Sequence, residues 1–100
     1  MPKNVVTIGG FSHEGLSANV KALGFELCTL SLDNVQPKTW LKRANFIKEF
    51  SENGNLAATI IYLHTTLLLT ASKDEYRSAF FEILNQAVKS KQLYLCFKII

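Results

Sequence analysis

Hydrophobic and polar positions along this chain change period several times, and each change marks the border of an element. Val5 to Ile8 is a short β-branched run ending at Gly9-Gly10, the punctuation expected where a buried strand enters a loop. From Ser12 the apolar positions recur at helical spacing: Leu16, Val20 and Leu23 share one face, and Gly24 supplies the C-terminal stop. Phe25 to Leu32 is strand-like again and runs into Asp33-Asn34, residues that favour turns over ladder positions. Pro37 suits the first turn of a helix, where its missing N–H costs nothing. Trp40, Ala44, Ile47 and Phe50 extend that helical stripe until the cluster from Ser51 to Asn55, centred on Gly54, ends it.

Leu56 to His64 is a third strand, and its near-continuous hydrophobicity fits a central position covered on both faces. The apolar run continues to Ala71, a stretch that reads as the exit loop of the strand. Ser72 and Glu75 form an S-x-x-E capping box, after which Tyr76, Ala79, Phe80, Ile83, Ala87 and Val88 trace the apolar stripe of a helix. Leu93 to Ile100 closes the chain as a fourth strand. This alternation predicts an α/β fold: a three-layer, mainly parallel four-stranded sheet with right-handed crossovers and helices on both faces, a flavodoxin-like Rossmannoid.

A length of 100 residues fits one domain spanning 1–100, with no repeat or linker. The last strand is still apolar at Ile100, as expected of the core of a longer domain or of an edge covered by self-association or a partner domain. Eleven Lys and Arg give a net charge of only +3 and are spread along the chain, which argues against a nucleic-acid partner. The longest apolar run, Leu56 to Ala71, holds His64 and four threonines and falls short of the ~20 residues of a membrane span. With no secretory signal pattern at the N-terminus, the expectation is a cytoplasmic protein without a membrane partner. Cys28 and Cys96 sit in apolar runs and are expected to be buried free thiols of a reducing compartment, a bridge between them being the alternative.

Ligands of open α/β sheets bind at the carboxyl ends of the strands, so the informative segments are Gly9 to Gly15, Asp33 to Gln36 and His64 to Glu75. Gly10-Phe11-Ser12-His13-Glu14-Gly15 is a degraded G-x-G-x-x-G with serine at its middle position, placed after a strand and before a helix where backbone N–H groups can hold phosphate. Asp33, about 20 residues on, stands where a dinucleotide fold puts the carboxylate for a ribose hydroxyl. Turn glycines and a turn aspartate are the plain alternative. Ser12 does not make a nucleophile elbow, which needs glycine at the position of Glu14. His13 and His64 lack acidic or thiol neighbours at metal-ligand spacing, so no metal is expected. Glu82, with Ser78 and Gln86 a turn to either side, is either a solvated helix residue or a carboxylate aimed at the ligand edge. Buried among aromatic side chains, it would be fit to act as a base or to stabilise a cationic sugar.

The stretch from Thr59 to Ile100 resembles a TIR domain. The likeness is carried by Thr59-Ile-Ile-Tyr-Leu, by Ser72 to Tyr76, by Ser78-Ala-Phe-Phe-Glu82-Ile83-Leu84 and by Leu93-Tyr-Leu-Cys-Phe. Gly24-Phe25 to Leu32-Asp33 is similar to the family's second strand. The family's aromatic-serine box after the first strand is replaced here by Gly9-Gly10-Phe11-Ser12. The resemblance implies cleavage of the nicotinamide–ribose bond, with Glu82 as the catalytic carboxylate and NAD as a substrate rather than a cofactor. Phe11 or Tyr76 would stack on the base, and Gly10 to Ser12 would lie near phosphate or ribose. Ala79-Phe-Phe-Glu82-Ile also looks like the glutamate segment of nucleoside deoxyribosyltransferases, which break the same kind of bond.

Two other readings stand beside this one. A non-enzymatic module of the same fold would assemble through helix faces and sheet edges, as signalling TIR domains do. A reductase-type dinucleotide-binding fragment would rest on Gly9, Gly15 and Asp33. It lacks a Tyr-x-x-x-Lys pair on a helix, since Tyr62, Tyr76 and Tyr94 are followed four residues later by Thr66, Phe80 and the strand residue Lys98.

Overall fold

A computed structural model describes residues 3–9 and 15–98. The chain runs β1 (Asn4–Ile8), α1 (Leu16–Ala22), β2 (Glu26–Leu30), α2 (Pro37–Glu52), β3 (Leu56–His64), α3 (Thr65–Ala71), α4 (Asp74–Ala87) and β4 (Gln92–Lys98). The four strands form one parallel sheet in the order β2-β1-β3-β4. The predicted α/β architecture is therefore the observed one. β1 and β3 are the interior strands, which is why Val5 to Ile8 and Leu56 to His64 are the most uniformly apolar.

Strand alternation divides the side chains between two faces. Val6 and Ile8 of β1 and Ile61 and Leu63 of β3 lie against Trp40, Ala44 and Ile47 of α2 and Ala79, Ile83 and Ala87 of α4, forming the main core. Each large side chain so buried contributes about 1.5–3 kcal/mol. The opposite row, Val5 of β1 with Ala58 and Ile60 of β3, meets Val20 and Leu23 of α1. Among the described residues, one face thus carries α2 and α4, and the other only the seven-residue α1. This division follows from right-handed crossovers, because β1 to β2 and β2 to β3 move in opposite directions along the sheet.

Several local expectations are corrected. Thr65 to Ala71 is a helix, not an exit loop, because the His64 side chain caps it by accepting the Leu67 N–H at its Nδ1 at 3.2 Å. The Ser72/Glu75 capping box does not form. Lys73 is the N-cap residue of α4, and the Ser72 hydroxyl turns back to donate to the Leu69 carbonyl at 2.7 Å, satisfying the end of α3 instead. Val88 is exposed, because α4 ends at Ala87 and the chain leaves the core there. β2 ends at Leu30, two residues earlier than its apolar run, and β4 is described as far as Lys98, with Ile99 and Ile100 outside the described residues.

Both cysteines are free and half-buried rather than fully buried. A bridge between them is ruled out by topology. Cys28 is on β2 and Cys96 on β4, at opposite edges of the sheet, three strand spacings or at least ~14 Å apart and well beyond disulfide reach. Among the described residues, no helix is long and apolar enough to cross a membrane.

Candidate functional site

The chain reverses direction along the sheet at β1: the first crossover leads to β2 on one side and the second to β3 on the other. Ligand crevices form at the carboxyl ends beside such a switch point. A cavity of about 580 Å³ opens there, lined by Asp33, Asn34 and Gln36 from the loop after β2, His64 at the end of β3, and Thr66, Thr70, Lys73 and Tyr76 from α3 and α4. Its volume is within the ~300–1,000 Å³ range of small-molecule sites.

The loop after β2 is held from below by the core. Trp40, fully buried on α2, donates its indole N–H to the Leu32 carbonyl at 3.2 Å. Tyr76, one turn into α4, donates its hydroxyl to the Val35 carbonyl at 2.8 Å, and the two rings meet edge-on with centroids 4.8 Å apart. These bonds satisfy carbonyls that loop closure would otherwise strand, each contributing about 1 kcal/mol. Asn34, at φ 54, turns the chain between the two anchored carbonyls, a conformation that asparagine tolerates better than most residues. Asp33 is left projecting at the rim, its side chain 47% exposed.

His64 joins three parts of this edge. Its Nδ1 accepts from the Leu67 amide, so that nitrogen carries no proton, and Nε2–H donates to the Gly9 carbonyl at 2.9 Å. This fixes the neutral tautomer by partner chemistry, an N–H on one side and a C=O on the other. The Asp33 carboxylate stands 3.9 Å from the same Nε2, near enough to orient the ring electrostatically without displacing Gly9 as its acceptor. Both ring nitrogens are engaged, which leaves His64 without a lone pair for a metal. Among the described residues, no three His, Cys, Asp or Glu side chains come together as a metal site.

Gly9 is where β1 approaches β3 too closely for a side chain. It has φ 113, and a Cβ there would sit 2.6 Å from the Tyr62 carbonyl oxygen. Its importance to the site is therefore steric and through its carbonyl, not as part of the cavity lining.

No known protein family, curated protein or solved structure matches this chain.

Of the residues singled out in the sequence, Asp33 and Tyr76 line the cavity. Ser78 is exposed on α4 and does not line it. Glu82 also lies outside the lining. Six residues beyond Tyr76, it is about 9 Å further down the helix axis, where its carboxylate accepts from the Gln86 amide at 2.9 Å. Gly10, Phe11, Ser12 and His13 lie outside the described residues. Thr66, Thr70 and Lys73 fall within the informative segment His64 to Glu75 but are not singled out by the sequence, since a loop from Thr65 to Ala71 gives the two threonines no common face and Lys73 carries no motif. The spacing of Thr66 and Thr70, i and i+4, is the signal that would have put both on one helical face.

Proposed function

We propose that the carboxyl-edge cavity binds a nucleoside or nucleotide, with Asp33 receiving the ribose hydroxyls and Lys73 available to a phosphate. The observation that carries this reading is the placement of Asp33. It stands in the loop just after the second strand of a parallel sheet, three residues beyond Leu30, beside a switch point, on the rim of a cavity rich in hydroxyl, amide and charged groups. A carboxylate there accepts two hydroxyl hydrogen bonds from a ribose, and charge-assisted bonds of this kind are about twice as strong as neutral ones. Tyr76 offers a ring edge to a base, while Asn34, Gln36 and Thr66 supply donors and acceptors for its polar atoms. The likeness to nucleotide-consuming families supports the same ligand class and adds NAD to the candidates.

Binding, rather than cleavage by Glu82, is what this geometry supports, since the carboxylate nearest the proposed ribose is that of Asp33. Calorimetric titration with NAD, AMP and adenosine tests the reading. Binding is expected, with Asp33→Asn weakening it about tenfold and Glu82→Ala leaving it unchanged, as loss of one charge-assisted pair predicts. Absence of binding by all three at millimolar concentration would overturn it. Nicotinamide released from NAD and lost in Glu82→Ala, with the fold intact, would instead establish the glycosidic reading.

A second reading rests on β4. Leu95 and Phe97 are 49% and 73% exposed on an edge strand, a liability that soluble domains ordinarily cover. It supports an interaction module that assembles through this edge, tested by sedimentation of Phe97→Ser against the wild-type chain.

A further inference from the structure

The face of the sheet that carries α1 is only half covered. In a parallel α/β sheet both faces are normally shielded by helices, yet here α1 covers the β2–β1 side and no described helix lies over β3 and β4. The result is a groove of about 410 Å³, with Val5, Ala58, Ile60 and Tyr94 as its floor and Leu23 of α1 as one wall. Register confirms the floor as continuous: Val5 pairs with Ala58, and Ile60 pairs with Tyr94. Leu23 is 74% exposed and Tyr94 50%, so two of the groove's largest apolar side chains face water.

The lip of this groove is basic. Lys3, just before β1, and Lys91, just before β4, line it together at the amino edge of the sheet. Their proximity holds the Lys3 ammonium below its ordinary range, chiefly through the side-chain interaction with Lys91 and their mutual repulsion, and neither has a carboxylate partner among the described residues. Two like charges gathered beside an apolar trough repel each other until an anion lies between them.

We propose that this groove docks an amphipathic helix of a partner protein, carrying acidic residues at the end that lies over Lys3 and Lys91. A helix is the element that completes the layer: at about 10 Å in diameter it fills the space beside α1. The small side chains of Ala57 and Ala58 let its backbone approach the sheet closely. Helices that cover parallel strands run antiparallel to them, which puts the C-terminal end over the amino edge. There both the partial negative charge of the helix terminus and its acidic side chains meet the two lysines. This site is on the opposite face from the carboxyl-edge cavity and does not depend on that cavity's ligand.

The test uses a fluorescein-labelled peptide of about 18 residues, long enough to be helical, with leucines at i, i+3, i+4 and i+7 and two glutamates in its last turn. A matched peptide carries two lysines there. The glutamate peptide is expected to bind the full chain and to shift amide resonances of Val5, Leu23, Ile60 and Tyr94. Lys91→Glu should weaken it about tenfold, and Leu23→Glu, at an exposed position compatible with folding, should abolish it. Retained dispersion of the amide spectrum in each variant separates lost docking from lost fold. Equal binding of the lysine peptide, shifts confined to residues 32–36 and 64–76, or no binding at millimolar peptide would overturn the proposal. So would a groove-mediated dimer abolished by Leu23→Glu, or uptake by phosphatidylserine vesicles without peptide binding.

Discussion

Replacing Gly9 by alanine concentrates the strain of this fold on one methyl group. The added Cβ would lie 2.6 Å from the Tyr62 carbonyl oxygen and 3.3 Å from the Tyr62 Cβ, and the residue would have to keep φ 113. A backbone conformation of that sign costs an L-residue about 1–2 kcal/mol. The overlap is with backbone rather than with a flexible side-chain end, so β1 and β3 must separate at the place where the Gly9 carbonyl also receives the His64 N–H. Overpacking of this kind adds about 1–3 kcal/mol. The sum, roughly 2–5 kcal/mol, is a large part of the ~5–15 kcal/mol that stabilises a domain.

Gly24 provides the internal control. Its φ is 87, but a Cβ there would meet nothing within 4 Å, so Gly24→Ala carries the conformational cost alone. Urea unfolding followed by far-UV circular dichroism, with m held constant, gives both differences directly. Gly9→Ala is expected to lose at least 1 kcal/mol more than Gly24→Ala, and the nucleotide binding proposed for the carboxyl-edge cavity should weaken because His64 loses its fixed acceptor. Equal destabilisation of the two variants would refute the close approach of β1 to β3.

Tyr76→Phe removes the hydroxyl that holds Val35 and should cost about 1 kcal/mol in urea unfolding while raising hydrogen exchange in residues 33–36. Gln86 is buried with its Nε2 bonded to Glu82 and its Oε1 without a partner among the described residues. Gln86→Met is therefore expected to be neutral or stabilising by about 1 kcal/mol, checked by thermal melting. Burial pushes the Cys28 thiol above its ordinary pKa, with Arg43 opposing the shift less strongly. In a Cys96→Ser background, Cys28 should accordingly be alkylated by iodoacetamide at a rate that keeps rising with pH beyond the ordinary thiol range, read by mass spectrometry.

The fold was legible where period and punctuation agree. Pro37 and the Gly54 cluster bracket α2 closely, because a missing N–H and a positive φ are local demands that residue type alone satisfies. The helix at Thr65–Ala71 was not legible for the opposite reason. Its threonines and leucines suit a strand as well as a helix, and what starts it is a histidine side chain already held by Gly9, 55 residues away in sequence. Ser72 carried the usual capping signal and was used elsewhere, since the end of α3 needed its hydroxyl first. Asp33 could be placed at the ligand edge because the Asp33-Asn34 turn that follows β2 is visible in sequence, even though the strand itself stops earlier, at Leu30. Glu82 could not, because helical spacing gives the side of a helix and not the height at which a residue stands above the sheet.

The same limit governs the two faces of the sheet. A sequence of alternating strands and helices specifies that each connection crosses the sheet, and handedness then assigns each helix a face, but coverage depends on strand order as well. Had β4 joined the sheet beside β2, its connection from β3 would have reversed direction and placed a helix on the α1 side. Because β4 instead extends the sheet beyond β3, α2 and α4 share one face and pack on each other, leaving Ile60 and Tyr94 beneath no described helix. The apolar character of β3 on both faces is therefore matched by full burial on the α2/α4 face, while on the other face Ala58 and Ile60 are only partly covered and Tyr62 is buried. It is this mismatch, rather than any single exposed residue, that makes the groove beside α1 a surface with a missing layer.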